Sequence, residues 1–93
     1  MQVTCELYGP LREAVGGKSH EREVKTDATV GDVFKALAAE NPELEGFLFD
    51  DEEDFSDSVS VIRNGRNVAF EDGIETPVDE GDVLRASPPA EGG

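Results

Sequence analysis

Thr29-Val30-Gly31-Asp32-Val33-Phe34-Lys35-Ala36-Leu37-Ala38-Ala39-Glu40-Asn41-Pro42 is the stretch on which the fold turns. Val30, Val33, Phe34, Leu37 and Ala38 recur at i, i+3, i+4, i+7 and i+8, which lines them along one helical face. Thr29 is suited to cap the N-terminus, and Asp32 stands at the capping-box position in place of the preferred Glu. Asn41-Pro42 ends the helix, because proline disfavours helical geometry in the residue before it. One apolar stripe on one helix needs a sheet to cover.

The flanking sequence supplies strands. Residues 2–8 alternate, with Val3, Cys5 and Leu7 on one side, and stop at Gly9-Pro10. Pro10 opens one or two helical turns through Val15, closed by Gly16-Gly17. Residues 19–25 are polar but extended in character, anchored by Val24, and form the return strand of a hairpin. Beyond the helix, Leu44, Phe47 and Leu48 anchor a short turn between Pro42 and Asp50, and the five acids Asp50 to Asp54 read as a solvated loop. Val59, Val61 and Ile62 form a strand; Asn64-Gly65 turns it back into a second strand through Val68 and Phe70. That dipeptide suits a type I′ turn, whose two central residues both need positive φ. Asp79-Glu80-Gly81-Asp82 makes another turn, and Val83 to Ala86 a last strand that Pro88-Pro89 stops. The pattern predicts an α+β protein of the β-grasp class: a mixed four- to five-stranded sheet with one main helix across one face. Residues 1–87 form the domain and 88–93 a flexible C-terminal tail.

Length and charge bound the function. Ninety-three residues hold one small domain, and 22 acidic against 8 basic residues give a net charge of −14. Leu, Ile, Val and Phe make up 23 of the 93 residues, above the ~20% level below which a highly charged chain stays unfolded. Nucleic acid and anionic membrane surfaces are excluded as partners, because both demand basic patches. No run approaches the ~18–20 apolar residues of a spanning helix, and the N-terminus lacks a basic segment followed by an apolar one, so the chain reads as cytoplasmic. Dense acidity with only Lys18, Lys25 and Lys35 as lysines fits a high-salt cytoplasm, where screening mutes self-repulsion. A broad acidic docking surface for one basic partner is the competing explanation.

Catalytic groups are nearly absent. Cys5 is the only cysteine and His20 the only histidine, which excludes disulfides, cysteine-built zinc sites and iron–sulfur clusters. Cys5 reads as a buried small hydrophobe, and no partner in the sequence orients His20. The acidic run lacks the ligand alternation and glycine of a calcium loop. No bound cofactor is expected.

The chain ends Pro88-Pro89-Ala90-Glu91-Gly92-Gly93. Two terminal glycines bury nothing and add mobility, so a structural tail has no use for them. A tail that threads a narrow channel does, since glycine has no Cβ to obstruct passage. With Leu11-Arg12-Glu13-Ala14, Ala28-Thr29-Val30-Gly31-Asp32-Val33 and Val59-Ser60-Val61-Ile62-Arg63-Asn64-Gly65, this ending resembles the ubiquitin-like β-grasp proteins of sulfur transfer and protein modification. That family includes molybdopterin synthase small subunits, the thiamine-pathway sulfur carrier and the small archaeal modifiers, which the acidic composition resembles most. Glu91 before the glycines and Ser87 before the prolines depart from its pattern.

The resemblance implies a substrate and carrier protein, not an enzyme. An E1-like enzyme would use ATP to adenylate Gly93, with Gly92 beside it in the channel. The product would be a thiocarboxylate for molybdopterin or tRNA thiolation, an isopeptide bond to target-protein lysines, or both. A molybdopterin synthase large subunit is a further implied partner. For docking, if Val59 and Val61 face the helix, alternation turns Ser60 and Ile62 to the open face. Ile62 beside Val68 or Leu84 would seed an apolar patch, with Arg63, Arg66 and Arg85 near it. A singly exposed Ile and ordinary counter-charges account for the same residues. The alternative to the carrier is a non-covalent β-grasp binding module whose acidic face docks a basic partner.

Overall fold

A computed structural model of the chain describes residues 1–51 and 54–88. β1 (Gln2–Leu7) leads through α1 (Pro10–Val15) to β2 (Ser19–Glu23), then α2 (Val30–Glu40) and α3 (Pro42–Leu48). β3 (Phe49–Asp51) and β4 (Asp54–Phe55) form a small antiparallel pair of their own. β5 (Ser60–Arg63), β6 (Arg66–Asn67), 3-10 turns at Val68–Phe70 and Gly73–Glu75, and β7 (Val83–Ser87) complete the described chain. The main sheet has the order β2-β1-β7-β5-β6, with β1 and β7 parallel and the other pairs antiparallel. It is the mixed β-grasp sheet expected from the sequence, with α2 across one face.

The helix cap, the hairpin turn and the apolar stripe each have their structural counterpart. Thr29 and Asp32 form the reciprocal capping box, with Oγ1 accepting from the Asp32 N–H at 3.1 Å and the Asp32 carboxylate accepting from the Thr29 N–H at 3.0 Å. Asn64 and Gly65 turn the β5–β6 hairpin at φ +50° and +88°. Val30, Val33, Phe34, Leu37 and Ala38 are buried against Val3, Cys5 and Leu7 of β1 and Leu84 and Ala86 of β7. Gly31 is fixed by packing, because a Cβ there would lie 2.6 Å from the Ile74 carbonyl oxygen in the second 3-10 turn.

Three expectations are corrected. Val68 and Phe70 do not continue a strand: β6 stops at Asn67, whose side chain accepts from the Ala69 N–H at 2.9 Å and starts a 3-10 turn. Phe47 does not anchor its segment, since α3 buries Leu44 and Leu48 and leaves Phe47 exposed. The acidic segment is not simply a solvated loop. Phe49 and Phe55 flank it, stack at 5.4 Å, and bring Phe55 edge-on to the buried Phe34 at 6.0 Å. Residues 52 and 53 lie outside the described residues.

Candidate docking face and tail exit

The chemistry expected of Gly92 and Gly93 falls outside the described residues, as does everything after Pro88. The structure defines the surface from which that tail departs. β7 is the central strand, hydrogen-bonded to β1 on one side and β5 on the other. Its parallel register with β1 brings Ser87 and Pro88 out beside Tyr8 and Gly9, where the Tyr8 N–H donates to the Ala86 carbonyl at 3.1 Å. Gly9 has φ +62°, and a Cβ there would stand 3.2 Å from Pro88 Cγ. Glycine therefore meets both the backbone angle and the approach of the proline ring.

The open face of the sheet follows from the register. Glu6, Arg85, Ile62 and Asn67 form one row across β1, β7, β5 and β6, and Thr4 pairs with Val83 one pleat away. Ile62 is half-buried and lies opposite Arg85, as alternation from the buried Val61 requires. Glu6 organises the polar part. Its Oε1 accepts from the Tyr8 hydroxyl at 3.0 Å and from Arg85 Nε at 2.9 Å, and these two bonds hold its carboxyl below the usual range. Lys18 Nζ stands 5.0 Å from the Tyr8 ring centroid, a cation–π contact at the same margin.

Not all the expected docking residues meet there. Leu84 is fully buried on the helix side, so it cannot belong to a surface patch, and the same holds for Val68. Both are core because the sheet alternates around Arg85, and because the 3-10 turn tucks Val68 inward. Arg63 is tied down elsewhere: its Nε donates to Asp82 Oδ2 at 2.7 Å and its Nη2 to Asp79 Oδ2 at 3.0 Å. Arg66 pairs with Glu71 at 3.1 Å on an exposed turn. Ile62 and Arg85 remain together. Glu6, Tyr8, Val83 and Gly9 join them, and only their alternation or turn chemistry hinted at exposure; the parallel β1–β7 pairing supplies the rest.

Nothing among the described residues offers a competing reactive centre. Burial pushes the Cys5 thiol up to about 11, keeping it protonated and inert. His20 lies opposite Cys5 with Nε2 3.0 Å from the Gly17 carbonyl oxygen, a turn-closing hydrogen bond. No group of three or more His, Cys, Asp or Glu among the described residues is arranged to hold a metal. No helix among them is long and apolar enough to cross a membrane. Lys18, Lys25 and Lys35 are all exposed.

The ThiS family model matches residues 5–93. Small archaeal modifier protein 3 of Haloferax volcanii is 42% identical over 93 residues, with both chains covered completely. The crystal structure of SAMP1 from Haloferax volcanii superposes with a TM-score of 0.84 at 32% identity, covering 100% of each chain. A chain of the crystallised BexX/CysO complex from Amycolatopsis orientalis gives a TM-score of 0.82 at 30% identity, covering 98% of this chain and 99% of that one.

Proposed function

This chain belongs to the ThiS family, and on that premise we propose that it is a ubiquitin-like modifier and sulfur carrier activated at its C-terminal Gly93. The observation that carries the reading is the Gly92-Gly93 end on a strand that leaves the centre of a β-grasp sheet. An E1-like enzyme binds ATP as co-substrate. A Gly93 carboxylate oxygen attacks the α-phosphorus, pyrophosphate leaves, and the acyl-adenylate forms. A carboxylate is a poor electrophile, whereas the mixed anhydride has AMP as a good leaving group, so one difficult acyl transfer becomes two easier steps. A sulfur donor then displaces AMP to give the thiocarboxylate, or a lysine amine displaces it to give an isopeptide bond. The chain provides the acyl group and the docking face, and the activating enzyme provides the catalysis.

Docking falls to the open face at the tail's base. Ile62 and Val83 supply apolar area, and Arg85 beside them is a positive charge on a molecule of net charge −14. The crystallised BexX/CysO complex supports the reading that a fold of this kind engages partners, as do the modifier relatives for the choice of fate. A molybdopterin synthase large subunit and lysines of target proteins are the further partners. Cytoplasmic activation fits the absence of a membrane-crossing helix among the described residues.

Incubation with the host's activating enzyme, ATP and a sulfur donor tests this directly. The expected product is a chain heavier by the replacement of one oxygen by sulfur, and target lysines in cells carry the chain through Gly93, seen as a Gly-Gly remnant after digestion with a protease that cuts after Glu91. Trypsin leaves the longer Ala86–Gly93 stub, because no Lys or Arg follows Arg85. Conjugates and sulfur-dependent growth that survive deletion of Gly92-Gly93, but collapse when the acids from Asp50 to Asp54 are neutralised, would establish a non-covalent acidic module instead.

A further inference from the structure

The main sheet has two edges, and they differ. β6 is two residues long and runs straight into the Asn67-capped 3-10 turn. β2 is five residues long and, among the described residues, pairs on one side only. Met1 pairs with Val24 through two 2.7 Å hydrogen bonds, and the Leu7 N–H donates to the Lys18 carbonyl at 2.7 Å. An antiparallel ladder alternates bonded and non-bonded pairs, so Arg22 and His20 also face β1 with their backbone groups. The N–H and C=O of Glu21 and Glu23 therefore point outward. Among the described residues they have no backbone partner.

A groove of about 460 Å³ lies beside this edge, on the helix side. Val24, Ala28 and Ala36 give it aliphatic walls, and the three acids Glu23, Asp27 and Asp32 surround it with one cation, Lys25, leaving a net negative rim. Arg22 does not fill the edge, because both of its Nη atoms are held by the Glu40 carboxylate at 2.6 and 2.7 Å, drawing the guanidinium towards α2. We propose that the β2 edge is a strand-addition site for an extended segment of a partner protein in which Lys or Arg alternates with small aliphatic residues.

The alternation follows from the pleat. Residues of an added strand on the open face lie beside Glu21 and Glu23, and those on the helix side drop towards Val24, Ala28 and Ala36. Opposite charges are required in the first set and apolar side chains in the second. An unpaired edge is ordinarily an aggregation hazard, and charges on it select among partners. Pairing of two β2 edges is opposed by them, since the second copy's Glu21 and Glu23 would face these. The site is separate from the tail, so it stands whether or not Gly93 is activated.

A synthetic peptide alternating Lys and Val, titrated into the isotope-labelled full-length chain, provides the test. The Glu21 and Glu23 amides are expected to shift and gain protection from hydrogen exchange, with the Val24 and Ala28 methyls following. Glu21→Pro removes an outward N–H without touching a β1 hydrogen bond, and should weaken binding about tenfold. The same peptide with prolines at alternate positions should not protect the edge. Equal binding by the proline-interrupted peptide, or wild-type binding by a folded Glu21→Pro chain, would reduce the contact to diffuse charge attraction and overturn the proposal. If Glu21→Pro unfolds, Glu21→Lys with Glu23→Lys replaces it, and retained affinity there also overturns it. Both variants should be adenylated at Gly93 at the wild-type rate, which keeps this result distinct from the activation test.

Discussion

Arg63 on β5 and Arg85 on β7 each bind a carboxylate, yet they serve different ends. Arg63 is three-quarters covered and meets Asp82, whose side chain is 7% exposed. Asp82 also accepts from the Asp79 N–H at 2.7 Å and the Asn64 side-chain amide at 2.8 Å, while Asn64 exchanges hydrogen bonds with the Val83 backbone at 2.9 Å. That knot ties the β5–β6 hairpin to the start of the central strand. Arg85 is 42% exposed and meets Glu6 at 2.9 Å on the open face. Its surroundings are wet, the pair is screened, and its guanidinium keeps surface to offer. Burial, not the presence of an ion pair, decides whether a charge in this acidic protein stabilises the fold or remains available.

Breaking the buried member should have the largest effect. Asp82→Ala strands Arg63 and Asn64 without their shared acceptor and should cost about 2–3 kcal/mol, measured by denaturant unfolding at fixed salt. Acid offers a second route to the same knot. Burial alone would raise the Asp82 carboxyl, but the Asp79 N–H, the Asn64 amide and the Arg63 guanidinium outweigh it and hold it below its ordinary value of 3.8. The unfolded chain therefore takes up the proton first. The Asp82 contribution is complete above pH 3.8 and is lost as pH falls below that value towards the folded carboxyl's lower one. In unfolding midpoints followed down the acid range, Asp82→Asn should flatten this part of the decline.

The exposed member should respond in the opposite way. Arg85→Ala is expected to leave the unfolding midpoint at the wild-type value while raising the KM for adenylation several-fold with kcat unchanged, because docking and not chemistry is affected. A fall in stability without a change in KM would place Arg85 with Arg63 and erase the distinction. Arg66→Ala serves as the small-effect reference. Its pair with Glu71 is on a side chain 72% exposed, so the change should be below about 0.5 kcal/mol in the same unfolding assay.

The two arginines also show how far the sequence reaches. Ile62 was legible as an open-face residue from the alternation around Val61, whereas Arg85 could be placed only near it. Leu84 lies in the core and not in the expected patch, because alternation says that Leu84 and Arg85 face opposite ways but not which faces the helix. Arg63, one residue past Ile62, gives no sign of Asp82, because nineteen positions separate them and the contact exists only once the two turns meet. Val68 and Phe70 spaced like strand residues, yet Asn67 diverted them by capping a 3-10 turn, a local competition that apolar spacing does not register.

What is local and periodic could be read from the residues in order: the α2 stripe with its Thr29–Asp32 box, the Asn64-Gly65 turn, the alternation of β1, and the Gly92-Gly93 end. Those features depend on neighbours within about four residues, where spacing translates directly into geometry. Tertiary structure alone decided that β7 lies parallel to β1 at the centre of the sheet, so that Pro88 exits over Gly9. It also decided that Glu6 and Arg85, seventy-nine positions apart, share one open face, and that β2 has one unpaired edge among the described residues. Strand order is set by which surfaces can be buried together across the whole chain, and no local window of sequence contains that information.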